Sequence, residues 1–450
     1  MAINIPKRVS AAILNSLSAG VVPRIGLEYV AVGRKREIET ILQDLAGLSE
    51  GAAAFRFIVG RYGSGKSFFL QAIRNYAMDR DFLVADVDLS PEKHLAGSGS
   101  QGLETYRELM QRLSTKLRPD GNALEGILQK WINAIRGDIL KEGGTGTATA
   151  DDKQLSSQVE WKIYDTISAL EGYAHGFDFA SVVSSYYKAF ISGDDEKKQA
   201  AIKWLRGEFA TKTEAKLYLS VGEIITGENW YDYIKLFAAF SARLGYRGLL
   251  LFIDECVNLY KISNRQSREN NYEKLLSMFN DIMQGKVQYL GLYLGGTPQF
   301  VEDERRGLFS YAALKSRLAD SRFVREGHAD FSSPIIRLQQ LTHGEIYILL
   351  ERLTDIHAQH YGYAASLGEK ELTAFMELVL ASPGAEEFIT PREVTRDFLG
   401  LLNILKDDPT ANFYTLINRD IFTVHGSTDG TTDGAAGAER DGDIYASFDL

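Results

Sequence analysis

The chain has 450 residues, 45% hydrophobic and 24% charged, the balance of a folded protein too long for one ordinary core. Its net charge of −10 argues against wholesale coating of nucleic acid, and a single cysteine, Cys256, excludes an internal disulfide framework and fits a reducing cytosol. No window is apolar for long enough to cross a bilayer, which argues against a membrane partner.

The amino terminus predicts an amphipathic helix starting near Pro6, with Val9, Ile13 and Leu17 on one face. Asn15, Ser16 and Ser18 break the apolar run that a secretory signal would need. Strand patterns follow at Phe55–Val59, Phe82–Asp88, Leu249–Ile253, Val287–Leu294 and Ile335–Leu338, and helical patterns at Ser67–Asp79 and Tyr272–Gln284 separate them. Strands alternating with helices predict an α/β fold built on a mostly parallel sheet covered on both faces. The long gap between the second and third strands predicts a helical insertion at 102–206, with a flexible stretch, Lys141–Gln154, inside it.

After Leu341 the pattern is helical only. Thr342–Glu345 and Thr390–Glu393 are capping boxes, the second with Pro391 at the first helical position, which predicts a small separate helical domain. From Gly426 onward Asp429, Asp433, Glu439, Asp441, Asp443 and Asp449 face Arg440 alone, so the predicted disordered tail holds much of the negative charge. Its last residues, IYASFDL, are apolar enough to dock on a partner. The resulting divisions are 1–28, 29–101, 102–206, 207–340, 341–425 and 426–450.

Gly60-Arg61-Tyr62-Gly63-Ser64-Gly65-Lys66-Ser67 fits the phosphate-binding loop pattern, between an apolar strand and a helix opening at Ser67-Phe68. The glycines let backbone N–H groups turn inward around an anion, and the following helix aims its positive end at the same place. Lys66 is the candidate for the β- and γ-phosphates, and the Ser67 hydroxyl for Mg²⁺. Downstream, GLLLFIDEC (Gly248–Cys256) ends a strand in two carboxylates. Asp254 is the candidate for holding magnesium through water, and Glu255 for orienting and polarising the attacking water. An acid pair suits hydrolysis better than phosphoryl transfer to a small molecule.

Thr297, after the strand YLGLYLGG, either senses the γ-phosphate and attacking water or only closes a turn. Arg305, Arg306, Lys315, Arg317, Arg322 and Arg325 cluster here; one of the arginine guanidinium groups is a candidate for a neighbouring subunit's nucleotide, or the group forms a solvated basic face. Arg392, in a helix's first turn where positive charge is disfavoured, wants an anion: the γ-phosphate, or simply Glu393 or a nearby Asp. His357 and His360 lack the further ligands of a metal site and are expected at the surface. Cys256 is expected to fill the core, and Trp230, Tyr231 and Tyr233 to be buried helix packing.

These landmarks, in this order, resemble the AAA+ ATPases of the origin-recognition and initiator branch. VGRKREIETIL (Val32–Leu42) looks like the box that lies against the adenine, which nominates Val32 and Gly33. LKSRL (Leu314–Leu318) looks like the box with the arginine finger and nominates Arg317; TPREVTRDF (Thr390–Phe398) looks like the second sensor and nominates Arg392. More narrowly, ENWYDYIKLFAAFSARLGYRGLLLFIDECVNLYKI, with NYEKLL and YLGGTPQF after it, is similar to the ATP-binding proteins of BREX anti-phage systems, the BrxC/BrxD type.

The resemblance implies an AAA+ core with a helical insertion and a carboxyl-terminal lid. It also implies ATP and Mg²⁺ as cofactors, self-assembly into an oligomer, defence-protein partners and DNA. Ala411–Val424 is too short for a full wing after the lid, although Thr342–Leu405 has room for a helix-turn-helix. The alternative reading is a nucleotide-gated switch or scaffold that signals to partners with little turnover.

Overall fold

The computed structural model describes residues 4–97, 99–142, 152–170, 172–320, 330–365, 367–381, 390–408 and 410–417. The expected tail, most of the expected flexible stretch, Arg322 and Arg325 lie outside them. The chain opens with helices α1 (Lys7–Ser18), α2 (Leu27–Val30) and α3 (Lys35–Ser49). Then come β1 (Ala54–Val59), α4 (Lys66–Asp79) and β2 (Leu83–Asp88). Between β2 and β3 (Leu249–Asp254) lie α5 (Gln101–Gln111), α6 (Leu124–Glu142), α7 (Asp152–Ser168), α8 (Gly176–Ser192), α9 (Asp195–Leu205), α10 (Lys212–Leu219) and α11 (Trp230–Arg243). After β3 come α12 (Val257–Lys261), α13 (Arg265–Met283), β4 (Leu290–Gly296), α14 (Pro298–Glu302), α15 (Ala312–Leu318) and β5 (Ile335–Arg337). The helices α16 (His343–Tyr361), α17 (Glu369–Leu380), α18 (Pro391–Asp407) and α19 (Phe413–Leu416) complete the described chain.

The five strands form one sheet in the order β2-β3-β4-β1-β5, with every neighbouring pair parallel. The fold is therefore α/β, as expected. Parallel strands cannot be joined by hairpins, so each crossover carries helices over a sheet face and buries both sides. β4 is buried along its whole length, and β3 everywhere except Asp254. The strand expected at Val287–Leu294 runs on to Gly296, where two glycines sit against crowded neighbours. The helix expected from Tyr272 starts earlier, at Arg265, because the Asn264 side chain caps it by accepting from Ser267 N.

One apolar cluster runs from the sheet (Phe55, Leu251, Leu292) through Trp131, Val183 and Trp204 of the helices between β2 and β3. Those helices therefore share the sheet's core. Trp230, Tyr231 and Tyr233 are buried in that cluster, and Cys256 is buried too, as expected. On the opposite face Ile41 and Leu45 of α3 meet Phe69 and Ile73 of α4 over Ile58 and Phe252.

A further cluster joins Ile13 and Leu14 of α1 to Leu350 and Leu353 of α16, Phe375 of α17 and Phe398 of α18. Burying each such side chain contributes roughly 1.5–3 kcal/mol, so the first helix is fastened to the last ones. Both capping boxes form, on α16 and α18. One expectation fails here. His357 is buried, with Nδ1 2.7 Å from Tyr363 Oη and Nε2 3.1 Å from Asn403 Oδ1, because α16 turns that face onto α18.

Candidate active site

Six residues, Gly60–Gly65, connect the buried end of β1 to the first residue of α4. The turn needs positive φ at Gly63 (77°) and Gly65 (84°), backbone that a side chain would strain. Lys66 Nζ folds back over the loop and donates to the carbonyls of Gly60 (2.9 Å) and Arg61 (3.1 Å). Burial lowers the Lys66 pKa, while the nearby Asp254 and Glu255 carboxylates oppose that shift. Arg34, buried just ahead of α3, donates to the carbonyls of Ser64 (3.0 Å) and Gln339 and pairs with Glu37 at 3.5 Å. It thus ties the glycine-rich loop to the segment leaving β5.

The second half of the site comes from β3. Parallel register sets Asp254 opposite Asp88 of β2, at the same sheet edge as the loop. The Ser67 hydroxyl donates to Asp254 Oδ2 at 2.9 Å. The other oxygen, Asp254 Oδ1, accepts from Glu255 N at 2.8 Å, and Glu255 itself has φ 54°, so the chain turns sharply off the strand. A side chain at Gly295 of β4 would run into the Asp254 carboxylate, so that glycine keeps the room it occupies. Partial burial, then Asp254, then Asp88 raise the Glu255 pKa, with Lys66 opposing. Asp88 is also raised, by burial and by Asp254. Such a carboxylate is more basic than an ordinary one and suits proton acceptance.

A cavity opens beside these groups. Tyr62, Gly63, Ser64, Gly65, Lys66, Ser67, Phe68 and Glu255 line its polar end. The rest is mostly apolar: Val32, Leu341 and Leu349, with Leu17, Val21 and Val22 from the chain's first segment. Arg392 and Thr395 of α18, with Thr390 that caps it, also line the cavity.

Of the expected residues, Gly60 and Arg61 line an adjoining cleft with Pro298 and Arg337. Gly33 packs against Glu345 beside Val32. Thr297 stands at the end of β4, next to Gly60, and its Oγ1 accepts from Phe300 N at 3.2 Å as the cap of α14. Arg317 is exposed on α15, bonded to Asn280 Oδ1 (3.0 Å) and the Ala313 carbonyl (2.8 Å). Arg306 is taken up by the carbonyls of Tyr260 and Ile262, at 3.2 Å each.

Sequence reasoning missed Arg34, Asp88, Gly295 and the wall formed by Leu17, Val21 and Val22. The Gly295-Gly296 pair was a usable signal of close approach; nothing local marks the others.

A family model described as BREX system ATP-binding protein BrxC/D matches residues 5–421. The chain belongs to this family. As a BrxC/D-type protein it is therefore an ATP-binding protein of the BREX phage-defence system. The match takes in the first helix, the glycine-rich turn of Gly60–Gly65, the acid pair and the helices over the cavity. No curated protein matches this BrxC/D chain. Among its described residues no helix is long and apolar enough to cross a membrane.

Proposed function

We propose that this BrxC/D-family chain is a magnesium-dependent ATPase of AAA+ type. It would couple turnover to assembly or remodelling on DNA together with other defence proteins, working in the cytosol. The observation that carries the reading is the hydrogen bond between Ser67 and Asp254 beside Glu255, which unites the two distant motifs at one sheet edge.

The residues present fit magnesium. With its hydrogen donated to Asp254, the Ser67 oxygen keeps lone pairs for the ion, and Asp254 remains to accept from the water that magnesium retains. When bound, the ion neutralises charge on the β- and γ-phosphate oxygens. Lys66 adds a second cation over the loop. Glu255 orients the attacking water and accepts its proton. Under this reading Thr297, at the end of β4, monitors that water. Arg392 reaches the γ-phosphate of its own subunit from α18, while Arg317, exposed and not among the residues that line the cavity, serves a neighbour in an oligomer. Val32 and Gly33 are assigned to the adenine under this reading, Val32 from the cavity wall. Under this reading residues 29–101 and 207–340 are the core, 102–206 the insertion, 341–425 the lid, and 1–28 a segment seated on the lid.

The test is ATP turnover by the full chain with no DNA, single-stranded DNA and duplex DNA, beside Lys66→Ala. Turnover that depends on magnesium and is abolished in Lys66→Ala supports the reading. Retained ATP binding by Lys66→Ala would overturn the phosphate loop. Wild-type binding without turnover in every arm would favour the nucleotide-gated switch.

A further inference from the structure

We propose that Tyr62 is a positioning residue for Arg392, and that the phosphate loop through this tyrosine sets the preference for nucleoside triphosphate over diphosphate. The proposal rests on the ATPase reading and concerns the same site.

Tyr62 occupies a position that the loop's own chemistry leaves free: the pattern asks for glycines, a lysine and a serine, not an aromatic ring. Its side chain is 74% exposed at the cavity, so core packing does not account for it. What it touches is the lid. Arg392 Nη1 donates to Tyr62 Oη at 3.2 Å, and the guanidinium carbon stands 6.0 Å from the ring centroid. The next loop residue, Gly63, lies directly against the Thr390 side chain, so two consecutive loop residues meet the first turn of α18. From the other side, the Arg392 stem packs against Gly20 of the first segment, its Cγ and Cδ 3.5 and 3.6 Å from where a Cβ would stand.

The chemistry of these partners matters. Glu393, the nearest acid in sequence, is engaged by its capping box: its Oε2 accepts from Thr390 N (3.1 Å) and Thr390 Oγ1 (3.0 Å). Arg396, one turn on, takes Asp397 at 3.2 Å. Arg392 instead is held by a phenol oxygen and a ring face, which orient a guanidinium without neutralising it. Its charge stays available at a helix amino terminus, where only an anion satisfies it. Holding a rotamer-rich arginine in place beforehand removes part of the ordering cost of binding. Because Arg392 serves the γ-phosphate, the gain falls on the triphosphate alone.

The experiment is calorimetric titration of the full chain, with magnesium, against a non-hydrolysable ATP analogue and against ADP. Tyr62→Ala is expected to weaken the analogue about five- to tenfold, the scale of one exposed cation–π contact plus one hydrogen bond, and to leave ADP within about twofold. Tyr62→Phe, which keeps the ring, should recover part of that loss. Adding Tyr62→Ala to Arg392→Ala should cost nothing more, because the tyrosine acts through the arginine. Unchanged ADP binding also reports that each variant folds. Equal losses for both nucleotides, or additive losses in the double variant, would overturn the proposal while leaving the ATPase reading standing. A wild-type chain that binds neither nucleotide would overturn that reading, and this proposal with it.

Discussion

The Ser67 hydroxyl donates a 2.9 Å hydrogen bond to Asp254 Oδ2, joining residues 187 positions apart in the chain. If this pair holds the metal, Asp254→Ala should weaken ATP binding in magnesium about 10–100-fold, while binding under chelation stays unchanged. Gly295→Ala crowds the same carboxylate from β4 and should produce the same selective loss. Fluorescent-nucleotide titrations with and without chelator measure both variants, and wild-type affinity in magnesium would reject the pairing.

Glu255 is raised above the ordinary carboxylate range by burial and by two acidic neighbours, Asp254 and Asp88. Glu255→Gln keeps its shape but cannot take a proton. Steady-state turnover should fall about 10²–10⁴-fold, the usual worth of a general base, with ATP affinity retained. A loss of affinity as large as the loss of turnover would assign the residue a structural role instead.

Arg317 is bonded to Asn280 and Ala313 on an exposed helix and takes no part in the cavity of its own chain. Arg317→Ala should hydrolyse ATP poorly while binding it normally. Mixing it with equally inactive Glu255→Gln subunits should restore part of the activity, since each supplies what the other lacks. Titrating one inactive variant into the other reads this directly. A mixture as inactive as its components would remove the trans role.

His357 introduces a pH dependence into the carboxyl-terminal helices. Burial lowers its pKa from 6.5; the Asn403 hydrogen bond opposes this, and Lys406 and His360 add to the lowering. As pH falls through 6.5, the unfolded chain takes up a proton that buried His357 resists. The stability contributed by neutral His357 is therefore fully present above that value and declines below it. The thermal midpoint should drop on going from about pH 7.5 to about pH 5.5, and His357→Gln, which cannot titrate, should flatten that drop. Parallel slopes for the two proteins would exclude His357 as the cause.

The order of strands and helices, the glycine turn between β1 and α4 and the acid pair ending β3 were legible in the chain itself. Each depends on neighbours in sequence: alternating apolar runs build strands, glycines permit one turn, and Thr342 and Thr390 cap helices three residues from Glu345 and Glu393. Tertiary packing decided the rest. It set Asp88 opposite Asp254, drew Leu17 and Val21 into the cavity wall, laid Arg392 against Tyr62 and buried His357 against Asn403. An apolar helix face such as that of α1 declares that it must be covered, but many surfaces satisfy the same apolar demand. Only the assembled fold selects α16 and α18 as the ones that cover it.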